Sequence, residues 1–435
     1  MTTFDWDFST PTPSPMGDHD VPTASDRLKG RRVALLVTGG IAAMKTPELA
    51  RGLRRNGAEV VAFCSDEALR YVAAEALEWA TCNPVVTALT WKAEHLSDSA
   101  PFDAYLVAPA THNTIAKMAH GIGDTVVTSA LVSALGRMEQ GRCKVIVAPT
   151  MHGTMHNAQL VDNARRLAAQ GVVFAAPRDA YGKHNMPDTE FLCVCVGRAL
   201  STSPLRGRRI LVTAGPTPVP IDGVRRIVNR FRGRLGAEIA AELAWRGADA
   251  ELLLGDGAWR PAAWVPTTIA RTYDDYRRLV LERVETGLFA GVFSAGVADY
   301  RPASAVDGKI ASGQAQLALN LVPTEKVIDL ACAADPDMHC VGFKYLEKVT
   351  EEELIRVARG RLDRAGLIVA TRGEDTRGTE QRALFVREGG VVAVDGKRAI
   401  AAALADHLEG LTARETAQDS PDRGTNVLSL GGVRE

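Results

Sequence analysis

Short apolar runs alternate along this chain with longer segments of helical periodicity. Residues 30–65 read GRRVALLVTGGIAAMKTPELARGLRRNGAEVVAFCS, which predicts a buried strand, a glycine-containing turn, an amphipathic helix and a second strand. Residues 207–226 read GRRILVTAGPTPVPIDGVRR and begin in the same way, although a longer insertion precedes the next helix. Strands that alternate with helices in this manner form βαβ units, so both segments predict parallel sheet.

The two similar starts, near residues 31 and 208, predict two α/β domains, each a doubly wound parallel sheet. Later strands are predicted at AYLVAPA, CKVIVAPT and GVVFAAP in the first half, and at AGVFSAGVA, HCVGFK and GLIVATR in the second. The predicted boundaries are a disordered extension over 1–28, a first domain over 29–200, a second domain over 207–412 and a disordered tail over 413–435. Residues 176–190 are rich in turn formers and are predicted to form a long loop of the kind that serves as a lid.

Composition argues against several function classes. The chain has 435 residues, 51 Lys and Arg against 52 Asp and Glu, and a net charge of −1, which argues against a protein that coats nucleic acid or an anionic membrane. The first residues lack the basic start and apolar stretch of a signal peptide, and no apolar run is long enough to span a bilayer. The seven cysteines contain no CxxC pair, so neither a zinc ribbon nor a disulfide framework is predicted, and a cytoplasmic location is expected.

Three segments of the first half carry candidate ligand-binding residues, each directly after a predicted strand. They are Gly39 and Gly40 in TGGIAAMK, Ser65 in FCSDEA, and Pro109, Thr111, Asn113 and Thr114 in APATHNT. Glycines at such positions let backbone N–H groups approach a phosphate at a helix N-terminus, and the carboxyl ends of parallel strands meet at one edge of the sheet. Tight turns and an N-cap serine are the structural alternatives, and these residues alone leave both interpretations open.

The segment PTMHGTMHN, residues 149–157, contains two histidines four positions apart. On a helix His152 and His156 would share one face, so a metal site, a catalytic histidine and a purely structural segment are all open interpretations. No carboxylate or cysteine adjoins the pair, which disfavours a metal site, and no metal ligand is assigned in this chain.

The order of these motifs resembles a known family. The first half resembles flavin-dependent cysteine decarboxylases in the motifs TGGIAAMKTPEL, SDEA, HLSDSAPFDAYLVAPAT, NTIAKMAHGIGDTVVT and PTMHGTM. The second half resembles phosphopantothenate–cysteine ligase in the motifs VTAGPTPVPIDGVRRIVN, SAGVADYRP, GKIAS and VGFK. Over roughly residues 30–410, the chain resembles the bifunctional phosphopantothenoylcysteine decarboxylase/phosphopantothenate–cysteine ligase family of coenzyme A biosynthesis. The resemblance implies a flavodoxin-like first domain that binds FMN and forms trimers. It also implies a Rossmann-like second domain that forms dimers and uses CTP with Mg²⁺.

For the first domain, the resemblance implies that His95, which opens HLSDSAPFD, is catalytic. The substrate's cysteinyl thiol must lose a proton while a hydride passes to the flavin, and the resulting thioaldehyde eases the loss of CO₂. An imidazole suits the proton transfer. Met151 and Met155 are in register with substrate-contacting positions, whereas His152 stands where the family usually carries an asparagine that contacts the departing carboxylate. A histidine can also donate this hydrogen bond, so His152 is a catalytic candidate.

The predicted lid differs from the family pattern. Bacterial members commonly place a cysteine there for the final reduction, but DAYGKHNMPDTEF has none. The nearby Cys193 and Cys195 lie in an apolar run and are expected to be core residues. We hypothesise that Lys183 replaces the missing acid. Reductive, oxidative and absent decarboxylation are therefore all open outcomes.

For the second domain, the resemblance implies that CMP is transferred from CTP onto a carboxylate and that cysteine's amine then attacks the acyl-cytidylate. The implied catalytic residues are Asn229, which assists this conversion, and Lys309, which is linked to acyl-cytidylate formation. The implied substrate- and nucleotide-binding residues are Gly215, Arg225, Ala295, Gly296, Asp299, Phe343, Lys344 and Arg361. In VRRIVNRFRGRLG the two serines of the family pattern are replaced by Phe231 and Arg232, and Gly296 replaces the usual alanine.

Three functions are compatible with these residues. The first is ligation of 4'-phosphopantothenate with cysteine, followed by decarboxylation to 4'-phosphopantetheine. The second is a specialised paralogue that joins cysteine or a similar amine to another acid, with oxidative or absent decarboxylation. The third is a nonenzymatic flavoprotein partner, against which His95, Asn229 and Lys309 argue. In each case the expected partners are small molecules and further copies of the chain, without nucleic acid or membrane.

Overall fold

The computed structural model of the chain describes residues 6–96, 98–313, 315–377 and 380–418. The chain divides into two compact units, Met1–Leu200 and Ser201–Glu435. Within the described ranges, no helix is both long enough and apolar enough to cross a membrane.

The first unit is built around a sheet of five parallel strands in the order β2-β1-β3-β4-β6. Its strands are β1 (Arg32–Val37), β2 (Glu59–Cys64), β3 (Ala104–Ala110), β4 (Lys144–Pro149), β5 (Met151–His152), β6 (Val173–Phe174), β7 (Arg178–Ala180) and β8 (Lys183–Asn185). Its helices are α1 (Thr46–Arg55), α2 (Ala74–Thr81), α3 (His112–Ala119), α4 (Val126–Glu139), α5 (Ala158–Ala169) and α6 (Thr189–Leu200).

The apolar pattern accounts for these elements. All seven residues of β3 are buried, as expected for a central parallel strand whose two faces are both covered by helices. The helix α1 buries Leu49, Ala50 and Leu53 on one face and carries arginines at its last positions. It ends before Gly57, whose φ of 94° lies in the left-handed region that glycine adopts without strain.

The second unit contains a larger sheet, of which β13-β12-β9-β14-β17-β18 run parallel. Its strands are β9 (Arg209–Ala214), β10 (Val219–Pro220), β11 (Arg226–Ile227), β12 (Asp249–Gly255), β13 (Thr267–Ala270), β14 (Ala290–Phe293), β15 (Tyr300–Pro302), β16 (Leu321–Pro323), β17 (His339–Leu346), β18 (Leu367–Arg372), β19 (Thr376–Arg377), β20 (Glu380–Arg387) and β21 (Gly390–Asp395). Its helices are α7 (Arg234–Trp245), α8 (Tyr273–Val284), α9 (Val327–Ala334), α10 (Glu351–Arg359) and α11 (Lys397–Gln418). The strand β20 pairs antiparallel with β18 and extends the sheet.

Both units are doubly wound, so the predicted fold class is confirmed. In each unit the chain starts in the middle of the sheet, builds outward to one edge and then returns to the other side. The reversal lies between β1 and β3 in the first unit and between β9 and β14 in the second. Open α/β sheets bind ligands in the crevice beyond the carboxyl ends of the strands at such a point.

Several local predictions require correction. Residues 176–190 do not form an open loop, because β7 and β8 make a hairpin that pairs with β5. The predicted extension over 1–28 is not wholly disordered, since Leu28 is completely buried and Ala24 donates its backbone N–H to the carbonyl of Arg55. The helix α11 continues to Gln418, into the predicted tail, and residues 1–5 and 419–435 of the two predicted segments lie outside the described residues. A disulfide between Cys332 and Cys340, which the sequence does not predict, joins α9 to β17.

Candidate functional site

The three candidate segments of the first unit converge at the carboxyl edge of its sheet. A Cβ added to Gly39 would lie 2.4 Å from Cβ of Glu67, so glycine is needed for the turn after β1 to touch the turn after β2. A Cβ on Gly40 would lie 3.7 Å from Cγ2 of Thr111 in the turn after β3. Ser65 accepts a hydrogen bond from the N–H of Ala68 at 3.3 Å and so acts as a local cap. The convergence predicted from sheet topology is therefore present.

The third segment is fixed to the first by hydrogen bonds. The Thr38 hydroxyl donates to the carbonyl of Pro109 at 2.7 Å and accepts from the N–H of Thr111 at 3.3 Å. Thr111 is the N-cap of α3, and its hydroxyl accepts from the N–H of Thr114. Asn113 follows in the first turn with an exposed side chain. This arrangement places glycine backbone and small polar side chains together at one edge of the sheet.

The segment PTMHGTMHN does not place its histidines on a common helix face. Met151 and His152 form β5, Gly153–Met155 form a single 3-10 turn, and α5 begins only at Ala158. Met151 is buried, whereas Met155 is exposed. The predicted shared face is therefore absent, and within the described residues no group of three or more His, Cys, Asp or Glu could hold a metal ion.

The local contacts of His152 determine which ring nitrogen carries the proton. Its Nδ1 accepts the backbone N–H of Thr154 at 3.2 Å and lies 2.9 Å from the Thr154 hydroxyl. Because Nδ1 is an acceptor, the neutral ring carries its proton on Nε2. The exposed side chain of His152 thus offers one N–H donor, and an asparagine amide would likewise offer N–H donors.

The hairpin β7–β8 is attached directly to this turn. His152 pairs with Lys183 across β5 and β8, and the N–H of Gly153 donates to the carbonyl of Gly182 at 2.9 Å. A Cβ on Gly153 would lie only 2.4 Å from that carbonyl oxygen, so only glycine permits this contact. The predicted lid and the predicted substrate turn therefore form one three-stranded unit, with the exposed side chain of Lys183 on its central strand.

A chain of hydrogen bonds on this hairpin was not foreseen from the sequence. Nδ1 of His156 lies 2.7 Å from Nε2 of His184, and Nδ1 of His184 lies 2.6 Å from Oδ1 of Asp179. The pairing of β7 with β8, which the loop prediction missed, brings Asp179 opposite His184. His156 is thereby held against the lid, away from His152.

His95 lies in a separate turn of the first unit. The turn closes with a hydrogen bond from the N–H of Leu96 to the carbonyl of Ala93, and Arg137 of α4 reaches the carbonyl of Leu96 at 3.4 Å. Nδ1 of His95 is buried and has no hydrogen-bond partner among the described residues. No hydrogen bond within the described part of the chain joins His95 to the 149–157 segment. His95 and His152 therefore share no hydrogen bond within the described part of one chain.

The two cysteines after the lid are core residues, as expected. Cys193 and Cys195 lie on α6 and are 1% and 8% exposed. Burial raises the pKa of the Cys193 thiol to about 12 and that of Cys195 to about 11. Neither thiol is therefore suited to act as an acid or nucleophile near neutral pH.

The glycines of the second unit allow a close approach of three segments. Gly233 caps α7 in the left-handed conformation, and a Cβ there would lie 2.7 Å from the backbone nitrogen of Gly215. A Cβ on Gly236 would lie 2.5 Å from Cβ of Ala214 and 2.6 Å from the hydroxyl of Ser294. The N-terminus of α7 therefore lies directly against the carboxyl ends of β9 and β14, at the reversal of strand order.

A cavity of about 850 Å³ opens beside this point. Seven of the residues predicted from the sequence line it: Asn229, Ala295, Gly296, Asp299, Phe343, Lys344 and Arg361. The volume is within the usual range for small-molecule sites. Three further predicted residues, Gly215, Arg225 and Lys309, are not among the lining residues.

Positive charge dominates the described lining of the cavity. The cations are Arg230, Arg232, Arg234, Lys326, Lys344, Arg361, Arg364 and Lys397. Burial, together with the nearby charges of Arg361 and Lys326, lowers the pKa of Lys344. Asp299 forms an ion pair with Lys326, so part of this charge is already balanced. The remaining excess suits an anionic ligand such as a polyphosphate.

Arg225 and Lys309 are organised by a residue that the sequence prediction missed. The buried carboxylate of Asp222 accepts from the N–H of Arg225 at 2.6 Å, from its guanidinium at 2.9 Å and from the N–H of Ile310 at 3.1 Å. These backbone hydrogen bonds, above all that from Arg225, lower the pKa of Asp222. Lys309 is exposed on the segment tied down by Ile310. The aspartate preceding a glycine in PIDGVRR was the available signal.

Comparison with known proteins gives matches to both units. The family described as Flavoprotein matches residues 22–201, and the DNA/pantothenate metabolism flavoprotein C-terminal domain matches residues 205–411. The coenzyme A biosynthesis bifunctional protein CoaBC of Thermococcus kodakarensis is 38% identical over 80% of this chain and 87% of its own length. The CoaBC protein of Mycolicibacterium smegmatis is 31% identical over 79% of this chain and 88% of its own length. A crystal structure of the DNA/pantothenate metabolism flavoprotein from Streptococcus pneumoniae is 29% identical and covers 47% of this chain and 100% of its own, with a TM-score of 0.44.

These relatives span both units in a single chain, which confirms the family predicted from the sequence. They do not favour the specialised paralogue or the nonenzymatic partner. The chain belongs to the family of coenzyme A biosynthesis bifunctional proteins.

Proposed function

We propose that this chain carries out two consecutive steps of coenzyme A biosynthesis. The second unit joins 4'-phosphopantothenate to cysteine at the expense of CTP, through an acyl-cytidylate. The first unit then decarboxylates the product to 4'-phosphopantetheine. The observation that carries this proposal is the cationic cavity at the strand reversal of the second unit. Seven of the catalytic and binding residues predicted from the sequence line it.

Amide formation from a carboxylate requires a leaving group better than oxide, and nucleotide transfer provides one. The arginines and lysines of the cavity would bind the triphosphate and the phosphorylated acid and stabilise negative charge as pyrophosphate departs. Asn229 would hold the acyl-cytidylate while the amine attacks, Lys309 would assist its formation, and Arg225 would bind the acid substrate. Phe343 and Lys344 provide an aromatic face and a cation for the base and its phosphates.

Mg²⁺ is proposed to enter with the nucleotide. Asp299 is the one acidic side chain in the described lining, and within the described residues no cluster of acidic, histidine or cysteine ligands is present. This donor set fits a metal ion held mainly by substrate phosphates and water, which is the usual mode for Mg²⁺. The choice of CTP rather than ATP is inferred from the family resemblance, and it rests on no individual side chain of the cavity.

The edge formed by Gly39, Gly40, Ser65 and Thr111 fits the phosphate of FMN. Two glycines without side chains, a hydroxyl cap and the N-terminus of α3 present small donors around one concavity. When bound, FMN supplies the oxidising power for removal of hydride from the substrate. Pro109, Asn113 and Thr114 belong to the same edge and would contact the cofactor or position the residues that do.

The residues of this chain would handle the proton and the carboxylate. His95 would accept the thiol proton, because its buried Nδ1 is not used by any described residue. His152 would hold the departing carboxylate through Nε2–H, beside Met151 and Met155. Lys183, which pairs with His152 across the lid, would supply the proton that accompanies the hydride from reduced FMN in the final reduction, in place of the missing cysteine. If so, Lys183→Ala shifts the product from the thiol towards the enethiol, as measured by mass spectrometry, and an unchanged product ratio would remove Lys183 from the mechanism.

No hydrogen bond joins His95 to the 149–157 turn within the described residues of one chain, which is compatible with an assembly in which neighbouring subunits complete the site. We propose trimers through the first unit and dimers through the second, in a cytoplasmic enzyme. Light scattering of the full chain, compared with a chain truncated after Leu200, would measure how each unit contributes to the oligomeric state. A monomer at micromolar concentration would exclude the proposed assembly.

The decisive experiment is release of pyrophosphate by the full chain when CTP, cysteine and phosphopantothenate are supplied together. We expect release to require all three, and CO₂ to follow in a protein carrying flavin. Lys309→Gln should abolish pyrophosphate release while leaving decarboxylation of added phosphopantothenoylcysteine unchanged. Absence of release with either CTP or ATP would refute the ligase assignment, whereas release with ATP alone would refute only the choice of nucleotide.

A further inference from the structure

Two of the departures from the family pattern around the cavity, Phe231 and Gly296, contact one another. A Cβ placed on Gly296 would lie 2.6 Å from Cδ2, 3.2 Å from Cγ and 3.3 Å from Cβ of Phe231. The aromatic side chain thus occupies the space in which a side chain at position 296 would stand. Because Cγ and Cβ are among the close atoms, rotation of the ring alone would not relieve the contact.

Gly296 is not free to move away from Phe231. Its N–H donates to the carbonyl of Gly215 at 2.8 Å, and it forms a strand bridge with Pro216. Its φ does not lie in the left-handed region, so its backbone conformation is open to alanine. The contact with Phe231 is therefore what opposes a side chain at this position.

The segment 229–233 carries Phe231 and is anchored on its other side. The ring of Phe231 packs edge-on against the ring of Tyr345, with centroids 5.0 Å apart and an interplanar angle of 81°. Arg230 donates to the hydroxyl of Tyr345 at 2.8 Å and forms an ion pair with Glu347. Two successive side chains thus fix the segment to the end of β17.

This anchoring fixes the amide of Asn229. Its Nδ2 donates to the carbonyls of Gly296 at 3.0 Å and Val297 at 3.2 Å, and the first of these residues is the one that faces Phe231. We propose that Phe231, fitted into the space left by Gly296, is a positioning residue that sets the place of Asn229 in the cavity. The inference rests on the proposed ligase function for its catalytic consequence, but the contact itself can be tested without activity.

The test is a double-mutant cycle in the full chain with Gly296→Ala, Phe231→Ser and the double variant. Gly296→Ala should displace the 229–233 segment, so we expect its amide hydrogens to exchange about tenfold faster, as measured by mass spectrometry. Phe231→Ser removes the anchor and should have a similar effect. In the double variant the clash is absent. Its amide exchange rate should therefore be about tenfold lower than the rate expected if the effects of the two single substitutions multiplied. Gly389→Ala is the matched control, because nothing lies within 4 Å of a Cβ there.

The catalytic readout separates positioning from general damage. In Gly296→Ala the rate of amide formation should fall about tenfold while KM for the nucleotide changes less than about threefold, so the acyl-nucleotidylate accumulates. The double variant should recover a large part of that rate. Strictly multiplicative effects on exchange and rate would overturn the proposal. A wild-type chain without pyrophosphate release would refute the proposed function instead, and the exchange cycle would still decide whether Phe231 and Gly296 are coupled.

Discussion

Replacing Arg246 with methionine should destabilise the second unit without altering the cavity lining directly. Arg246 caps the C-terminus of α7 and joins it to α11. Its guanidinium contacts Glu242 at 2.9 Å, Asp406 at 2.6 Å and Glu409 at 3.1 Å. These carboxylates raise the pKa of Arg246 above its usual range in spite of burial. Methionine preserves much of the aliphatic stem and removes only the charged group and its hydrogen bonds.

The expected loss of folding free energy follows from how exposed each carboxylate partner of Arg246 is. The side chain of Glu242 is 10% exposed, so it would be left with a buried charge that has lost this cation, at a cost of about 3–5 kcal/mol. The side chain of Asp406 is 67% exposed and its pair contributes about 0–1 kcal/mol. We therefore expect a loss of about 4 kcal/mol, a large part of the stability of an ordinary domain.

Hydrogen exchange of the full chain at increasing urea would report this loss from peptides of α7 and β12, independently of the first unit. The matched control is Arg278→Met, since Arg278 makes ion pairs with Glu282 at 2.8 Å and Asp275 at 3.4 Å on an exposed surface. The control should lose less than about 1 kcal/mol. Equal losses in the two variants would refute the argument that burial of the ion pair sets its contribution.

Three other residues of the site and the two types of cysteine give further predictions. Gly39→Ala should lower the flavin content of the purified protein at least about tenfold, because its Cβ would overlap the turn after β2, and absorbance measures this directly. His152→Asn should keep decarboxylation within about threefold, since an amide N–H replaces Nε2–H, whereas His152→Phe should lose more than about tenfold in CO₂ release. Asp222→Asn should reduce ligase kcat/KM about tenfold. The pKa of Asp222 is depressed by folding, so its stabilising effect is present above an unfolded pKa of about 3.9 and is lost as the pH falls through the folded value. The free energies of unfolding of the wild-type chain and of Asp222→Asn should therefore differ at neutral pH and converge in acid. At pH 8 iodoacetamide should label the exposed Cys82 and not Cys193, whose pKa is raised to about 12 by burial, and equal labelling would contradict that burial.

The fold was largely predictable because periodicity and glycine placement are local signals. Runs such as those of β1, β3 and β9 are continuous and apolar, which is the mark of a parallel strand covered on both faces. The order of strands also explains why residues far apart in sequence meet. Asn229 follows β11, Asp299 precedes β15 and Lys344 lies in β17, and all three line one cavity. The topology of the sheet brings several motifs, each of them a weak signal alone, together at one site.

The features that were missed depend on pairing between segments. The hairpin β7–β8 lacks a strong alternating pattern, and only its pairing with β5 identifies it as sheet. Asp222 looks like an ordinary turn residue until its contact with Ile310, far along the chain, is known. Lys326, Lys397 and Arg364 belong to no recognised motif, and their presence in the cavity follows from the tertiary fold alone.

Two departures from the pattern of the resembled family are accompanied by contacts that give the residue a defined place. His152 replaces an asparagine, and the N–H of Thr154 holds its Nδ1 so that Nε2–H remains a donor. Phe231 replaces a serine, and Gly296 provides the space for its ring. These two contacts favour the proposal that the sites of both units work in altered form, with His152 in the proposed carboxylate contact and Phe231 in the 229–233 segment.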